Sequence, residues 1–275
     1  MTLQFRSISD RFIGSHQYSA WVLEADWQRE IAHEYSRLRT ETRFPVAPIC
    51  FDGLVFDVRS IQDRIRANTI PVRAGGNFDV VRSDFGEVLA YLALEQQFQT
   101  QFGYKSVRDR ELIQLPGRGI DGVGVEEREK LTLLLSETKV STQNSPPAVV
   151  DTTDDCLRNQ HIGHITEDIT CRKIWDISRR ATSAQLQNLF LAAALMFQDK
   201  MNDYLDVITC CVLVRPEQKY AQSDYGSFLS SPQDFAPNPI RFLVLCIPQS
   251  AGSNIEEVID AWYQRINDGG LDGEA

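Results

Sequence analysis

Three side chains near the middle of the chain have the types and spacing that metal-assisted attack on a phosphodiester needs. They are Asp121, in Arg118-Gly-Ile-Asp121-Gly-Val-Gly, and Glu137 and Lys139, in Leu131-Thr-Leu-Leu-Leu-Ser-Glu137-Thr-Lys139-Val. Residues i and i+2 of a strand share a face, so Glu137 and Lys139 emerge side by side while Thr138 points away. A hairpin through Val125 to Lys130 brings Asp121 beside them. Two carboxylates and an ammonium set into mostly apolar strands are costly unless they are paired or hold a metal. Asp and Glu supply hard oxygen ligands suited to Mg²⁺. Lys139 is a compact charge that can orient or deprotonate a water and oppose charge developing on a phosphoryl group.

The triplet Glu-x-Lys is not specific alone, since one occurs about once by chance in a chain of this size. A second, Glu217-Gln-Lys219, follows Arg215-Pro216 and runs into a polar stretch, which predicts a solvated turn. The first ends an apolar run and has an aspartate strand before it. Its plain structural alternative is a surface ion pair closing a strand.

Upstream, Phe85, Val88, Leu89 and Leu92, with Tyr91, Leu94 and Phe98, predict a helix with a wide buried face from Asp84 onward. Glu87 near its start has two compatible readings. It could close a capping box with Asp84 as N-cap, or act as a third carboxylate toward the metal.

The order is then helix with Glu87, a strand near Glu111 to Leu115, a strand with Asp121, a strand with Glu137 and Lys139, and further helices and strands. This resembles the PD-(D/E)xK nuclease superfamily over roughly residues 80 to 215, with Ile120 standing where the motif's proline usually precedes the aspartate. Phe85-Gly-Glu87, Gly119-Ile-Asp121-Gly and Leu134-Leu-Ser-Glu137-Thr-Lys139 are most similar to the nuclease subunit of Hachiman anti-phage defence systems, the HamA family. The resemblance implies an α/β (α+β) fold with a restriction-endonuclease-like αβββαβ core, a mixed sheet flanked by helices. It implies a metal-dependent DNA endonuclease using Mg²⁺ or Mn²⁺, with Asp121, Glu137 and Glu87 as metal-side carboxylates and Lys139 as the catalytic lysine. It also implies a superfamily 2 helicase partner of the HamB type. The alternatives are an inactive nuclease fold kept as a scaffold and a stand-alone restriction or repair nuclease.

A chain of 275 residues, 43% hydrophobic and 24% charged, can bury one large core or two modest ones. It reads as a single decorated domain: an α/β extension over 1–80, a nuclease core over 81–250, then a C-terminal helix and an acidic, Gly-rich tail over 251–275. With no signal-like segment near Met1 and no bilayer-length apolar run, a cytoplasmic protein without membrane contact is expected.

The formal net charge of −10 argues against a protein that holds DNA by itself. DNA is expected to be retained with help from a partner. Lys105, Arg108 and Arg118, flanking the aspartate segment, are the candidate phosphate contacts. Further basic groups at Arg37, Arg39 and Arg43, at Arg64 and Arg66, and at Arg172, Lys173, Arg179 and Arg180 either line a groove or sit on solvated faces.

Cys156, His161, His164 and Cys171 match no common zinc spacing. Cys210, Cys211 and Cys246 lie in apolar strands as expected of reduced core thiols. Trp21 to Arg39, Thr182 to Met201 and Asn254 to Asn267 read as helices. Val207 to Val214 and Arg241 to Ile247 read as strands, and the segment from Arg39 to Asn77 as short strands and turns.

Overall fold

Seven segments join into one sheet whose central strands are buried along most of their length, because helices cover both of its faces. The computed structural model describes residues 2–24, 26–42, 44–73, 79–110, 112–115, 119–166, 168–251 and 254–267. The chain begins with strands β1 (Phe5–Ile13) and β2 (His16–Leu23). Helix α1 (Trp27–Thr40), a short hairpin of β3 (Ile49–Phe51) and β4 (Leu54–Phe56), and helices α2 (Val58–Thr69) and α3 (Val80–Phe98) follow. Next come β5 (Gln101–Lys105), the single turn α4 (Ser106–Asp109), and the hairpin β6 (Gly122–Glu127) and β7 (Leu131–Val140). Helices α5 (Ala148–Asp151), α6 (Leu157–Thr166), α7 (Asp168–Arg180) and α8 (Ala184–Gln198) lead to β8 (Leu205–Pro216), α9 (Gly226–Ser230), β9 (Ile240–Ile247) and α10 (Ile255–Asn267).

Seven strands form a mixed sheet in the order β1-β2-β9-β8-β7-β6-β5. The pairs β2/β9, β9/β8 and β8/β7 are parallel, whereas β1/β2, β7/β6 and β6/β5 are antiparallel. The long return from β7 to β8 through α5 to α8 is the crossover that a parallel pair requires. Alternation along the strands splits the core. Leu134, Cys210, Val212 and Val214 pack with Phe85, Leu89 and Trp262 under α1, α3 and α10. Leu133 and Leu135 face the other way, onto Ile174, Ile177 and Phe190 of α7 and α8. Cys211 and Leu213 share that second face with Phe228 and Phe242.

Several expectations need correction. The strand before the aspartate is β5 at Gln101–Lys105; residues 112–115 form a turn with Leu112 and Leu115 exposed, and Glu111 lies outside the described residues. The two leucines have no packing surface to support a strand there. Trp21 belongs to β2, and α1 starts at Trp27. The segment expected to hold only strands and turns contains α2, capped by the Asp57 side chain accepting from the Ser60 amide. Helix α3 begins before Asp84, because Asp79 accepts from the Val81 and Arg82 amides. Asp84 is therefore helical interior and not an N-cap. The first two strands, β1 and β2, join the main sheet through the parallel pairing of β2 with β9. No helix among the described residues is long and apolar enough to cross a membrane.

Candidate active site

The site lies where β7 outruns its neighbour. Pairing of β6 with β7 ends at Gly122↔Ser136, while β7 continues beside β8 to Val140↔Val214. The β6-side edge of Glu137 to Val140 is thus left without a strand partner. Asp121, the residue before β6, fills part of this gap: its amide donates to Ser136 O at 3.2 Å, and its Oδ2 accepts from the Thr138 amide at 2.8 Å. The side chain stands in for a missing strand residue, which fixes the carboxylate against Glu137 and Lys139. Close packing requires glycine next door, since a Cβ on Gly122 would sit 2.5 Å from Ser136 Oγ and 2.8 Å from the Phe102 ring. Ser106 N holds the Asp121 carbonyl from the other side at 2.7 Å.

Glu137 and Lys139 share the face of Leu133 and Leu135 that meets α6 to α8, as the period of two requires. Lys139 Nζ lies 3.4 Å from Glu137 Oε1 and 3.1 Å from Asp155 Oδ2. The second Glu137 oxygen meets His164 Nε2 at 3.3 Å. Glu87 comes from the opposite face. Helix α3 presses on β7 at Gly86, where a Cβ would lie 2.6 Å from Val140 Cγ2. That close approach places Glu87, 1% exposed, beside Asp121. Asp121 is therefore the middle member of a carboxylate row that reaches it from both faces of the sheet.

The crowding shifts their titration. Burial first, then the Glu137 charge, pushes the Asp121 carboxyl up to about 7 against the pull of Lys139. Burial pushes Glu137 to about 7 as well, with Lys139 opposing and Asp155 adding to the rise. Glu87 is raised well above the usual carboxylate range by burial and then by Asp121. Its hydrogen bonds agree with a protonated state. The single Tyr91 hydroxyl proton faces both Glu87 Oε2 at 3.1 Å and Asp121 O at 2.8 Å. A protonated Glu87 resolves the competition by donating to the Tyr91 oxygen, which donates to Asp121 O. Burial works to lower the Lys139 ammonium, but Glu137, Asp121 and Asp155 outweigh it and hold its pKa above the ordinary lysine value. In this state Lys139 is a fixed cation and not a base.

Two further groups complete the site. Lys173 on α7 donates to Ile120 O at 3.0 Å and stands 3.5 Å from the centre of the Tyr104 ring. Burial pulls it down to about 8, opposed first by Asp121 and Glu137. The sequence shows Lys173 only within a basic cluster. The available signal is its place four residues before Ile177, on the buried stripe of α7 with Thr170 and Ile174. His164 is the other addition. His161, one turn away, instead packs edge-on to Phe228 and Phe235, and burial lowers it to about 4.

The expected phosphate contacts divide. Lys105 is 3% exposed and bound to Glu95 at 2.7 Å and Glu34 at 3.2 Å, so it is an internal, ion-paired cation. Arg108 is partly exposed and held by Asp109 and Gly103 O. Arg118 lies outside the described residues. Glu217-Gln-Lys219 forms a 3-10 turn, as the sequence predicts.

Substituting Glu87 by Gln separates its two readings. Gln mimics the protonated acid, so the melting temperature of the metal-free protein should stay close to wild type. A strong loss of Mg²⁺-dependent cleavage at matched stability would make the carboxylate a ligand, and unchanged cleavage would leave Glu87 a structural bridge to Tyr91.

No protein-family model matches this sequence, and no curated protein is significantly similar to it.

Proposed function

We propose that the chain is a Mg²⁺-dependent DNA endonuclease with Asp121, Glu137 and Lys139 at its centre. The observation that carries this reading is a row of three buried carboxylates at an open strand edge, held against one another beside two lysines. Such like-charge crowding is unfavourable alone and is relieved by a divalent cation. Among the described residues no three His, Cys, Asp or Glu are already set as a metal cage, but the donor chemistry fits a hard cation. Asp121 and Glu137 would hold it, and Glu87 would join on losing its proton. Mg²⁺ there supplies Lewis acidity toward a phosphoryl oxygen.

The chain's own residues then have distinct tasks. Lys139, fixed between Glu137 and Asp155, opposes negative charge gathering on the phosphoryl oxygens. Lys173, with its pKa near 8, can exchange a proton near neutral pH. His164 orients the Glu137 carboxylate. The succession α3, β5, β6, β7, crossover helices and β8 supports a PD-(D/E)xK-type core. From the resemblance to the Hachiman nuclease subunit, we place the protein in the bacterial cytoplasm as an anti-phage effector controlled by a superfamily 2 helicase. The net charge of −10 supports a partner that helps to hold DNA.

Thermal melting and plasmid cleavage test this together. Because Asp121 and Glu137 titrate near 7 when folded and near 4 when unfolded, the folded chain takes up protons over that window. Metal-free stability should therefore rise as pH falls from about 8 to about 6. At pH 8, Mg²⁺ should raise the melting temperature and start plasmid cleavage, more strongly with the helicase present. Absence of any Mg²⁺ effect on melting or cleavage at pH 8 would favour an inactive scaffold.

A further inference from the structure

The hairpin of β3 and β4 stands apart from the main sheet, and all six of its residues are exposed. A lone two-stranded hairpin is marginal in water, so an apolar one needs a function for its surface. Cross-strand pairing places Phe51 opposite Leu54 and Ile49 opposite Phe56, which puts two aromatic rings and two aliphatic side chains on one face. Phe51 is 73% exposed. Two residues after Phe56, α2 begins and presents the exposed Arg59 and Arg64, with Arg66 half-buried. Among the described residues none of these three guanidinium groups is ion-paired, although most arginines elsewhere in this acidic chain are. Arg59 and Arg66 also line a polar cleft of about 1090 Å³ between α1 and α2, shared with His33, Asp63 and the ion-paired Arg37 and Glu41.

Exposed aromatic faces beside unpaired cations match one chemistry well. Bases stack on phenyl rings while phosphates meet guanidinium groups, and neither contact depends on sequence. We infer that the β3–β4 hairpin and α2 form a single-stranded nucleic-acid platform separate from the carboxylate site; the identity of the ligand rests on the nuclease reading. Phosphate attraction here is local to the exposed Arg59 and Arg64 and acts against the net charge of −10 of the whole chain.

The test is fluorescence anisotropy of a labelled oligothymidylate with the full chain, in EDTA and across a KCl series. Combining Arg59→Glu with Arg64→Glu should weaken binding at least about tenfold and flatten its salt dependence. Combining Phe51→Ala with Phe56→Ala should weaken it roughly fivefold or more while leaving the salt slope unchanged. All four side chains are exposed, so melting curves should match wild type. Affinity unaffected by either pair overturns the proposal, as does a dimer in sedimentation that Phe51→Ala dissociates. If wild type cleaves plasmid but both pairs bind normally, this inference fails and the nuclease reading stands. If no nucleic acid is cleaved but both pairs lose affinity, the platform stands and the nuclease reading fails.

Discussion

Plasmid cleavage is expected to fall by roughly a hundred- to a thousandfold or more when Lys139 is replaced by Ala, and similarly for Glu137→Gln and Asp121→Asn. The size follows from position. Lys139 is the ammonium placed between Glu137 and Asp155 on the open edge of β7, and the solvent around a buried site cannot replace it. The two carboxylate variants carry a second, opposite signature. Each removes one charge from a crowded row, so without divalent cations their melting temperatures at about pH 8 should hold or rise. Asn is the suitable replacement at 121 because its side-chain oxygen still accepts from the Thr138 amide. Ala would leave that amide unpartnered and obscure the gain. Mg²⁺ should stabilise wild type but neither carboxylate variant. Wild-type cleavage by Lys139→Ala would show that the site has been misplaced.

The parts of this site that depend on local periodicity were legible in the sequence. Glu137 and Lys139 share a face because strands repeat every two residues, and Glu87 lies one helical turn from Tyr91 on the buried side of α3. The β6–β7 hairpin also follows from its turn and its apolar flanks. What could not be read was the consequence of strands ending at different places. Asp121 reaches the Thr138 amide only because β6 stops at Gly122 while β7 goes on. Lys105 shows the same limit from the other side. Its neighbours in sequence suggest a basic surface, but Glu34 lies 71 residues away in the chain and turns it inward. The pairing of β2 with β9 joins residues more than 200 positions apart, and no local pattern announces it. The Glu111–Leu115 segment misled because isolated leucines resemble a strand until their exposure is known.

Asp84→Asn should destabilise the protein far more than loss of a helix cap. A cap on α3 would be worth about 1 kcal/mol, or a shift in melting temperature of roughly 3 °C for a domain of this size. The structure instead makes Asp84 a fully buried anion that binds Arg39, Arg110 and the Tyr35 hydroxyl. Burial, then the neighbouring Arg39, pulls Arg110 down to about 10, which shows how closely the two cations are held. Neutralising Asp84 leaves two buried guanidinium groups facing one another. Breaking a buried ion pair by removing one partner costs about 3–5 kcal/mol, so the melting temperature should fall by roughly 10 °C or more. The effect should spread to the candidate site, because Arg110 closes the segment that runs from β5 toward Asp121 and Asp84 fixes it to α3. Cleavage by Asp84→Asn should therefore be impaired even below its melting point, whereas Asp79→Asn, at the observed cap, should stay within a few degrees of wild type because its ion-pair partner Arg73 keeps Glu256 and Asp260. A fall of only a few degrees for Asp84→Asn would mean that the arginine cluster is satisfied by other groups and that Asp84 does not hold α3 to the chain leading into the site.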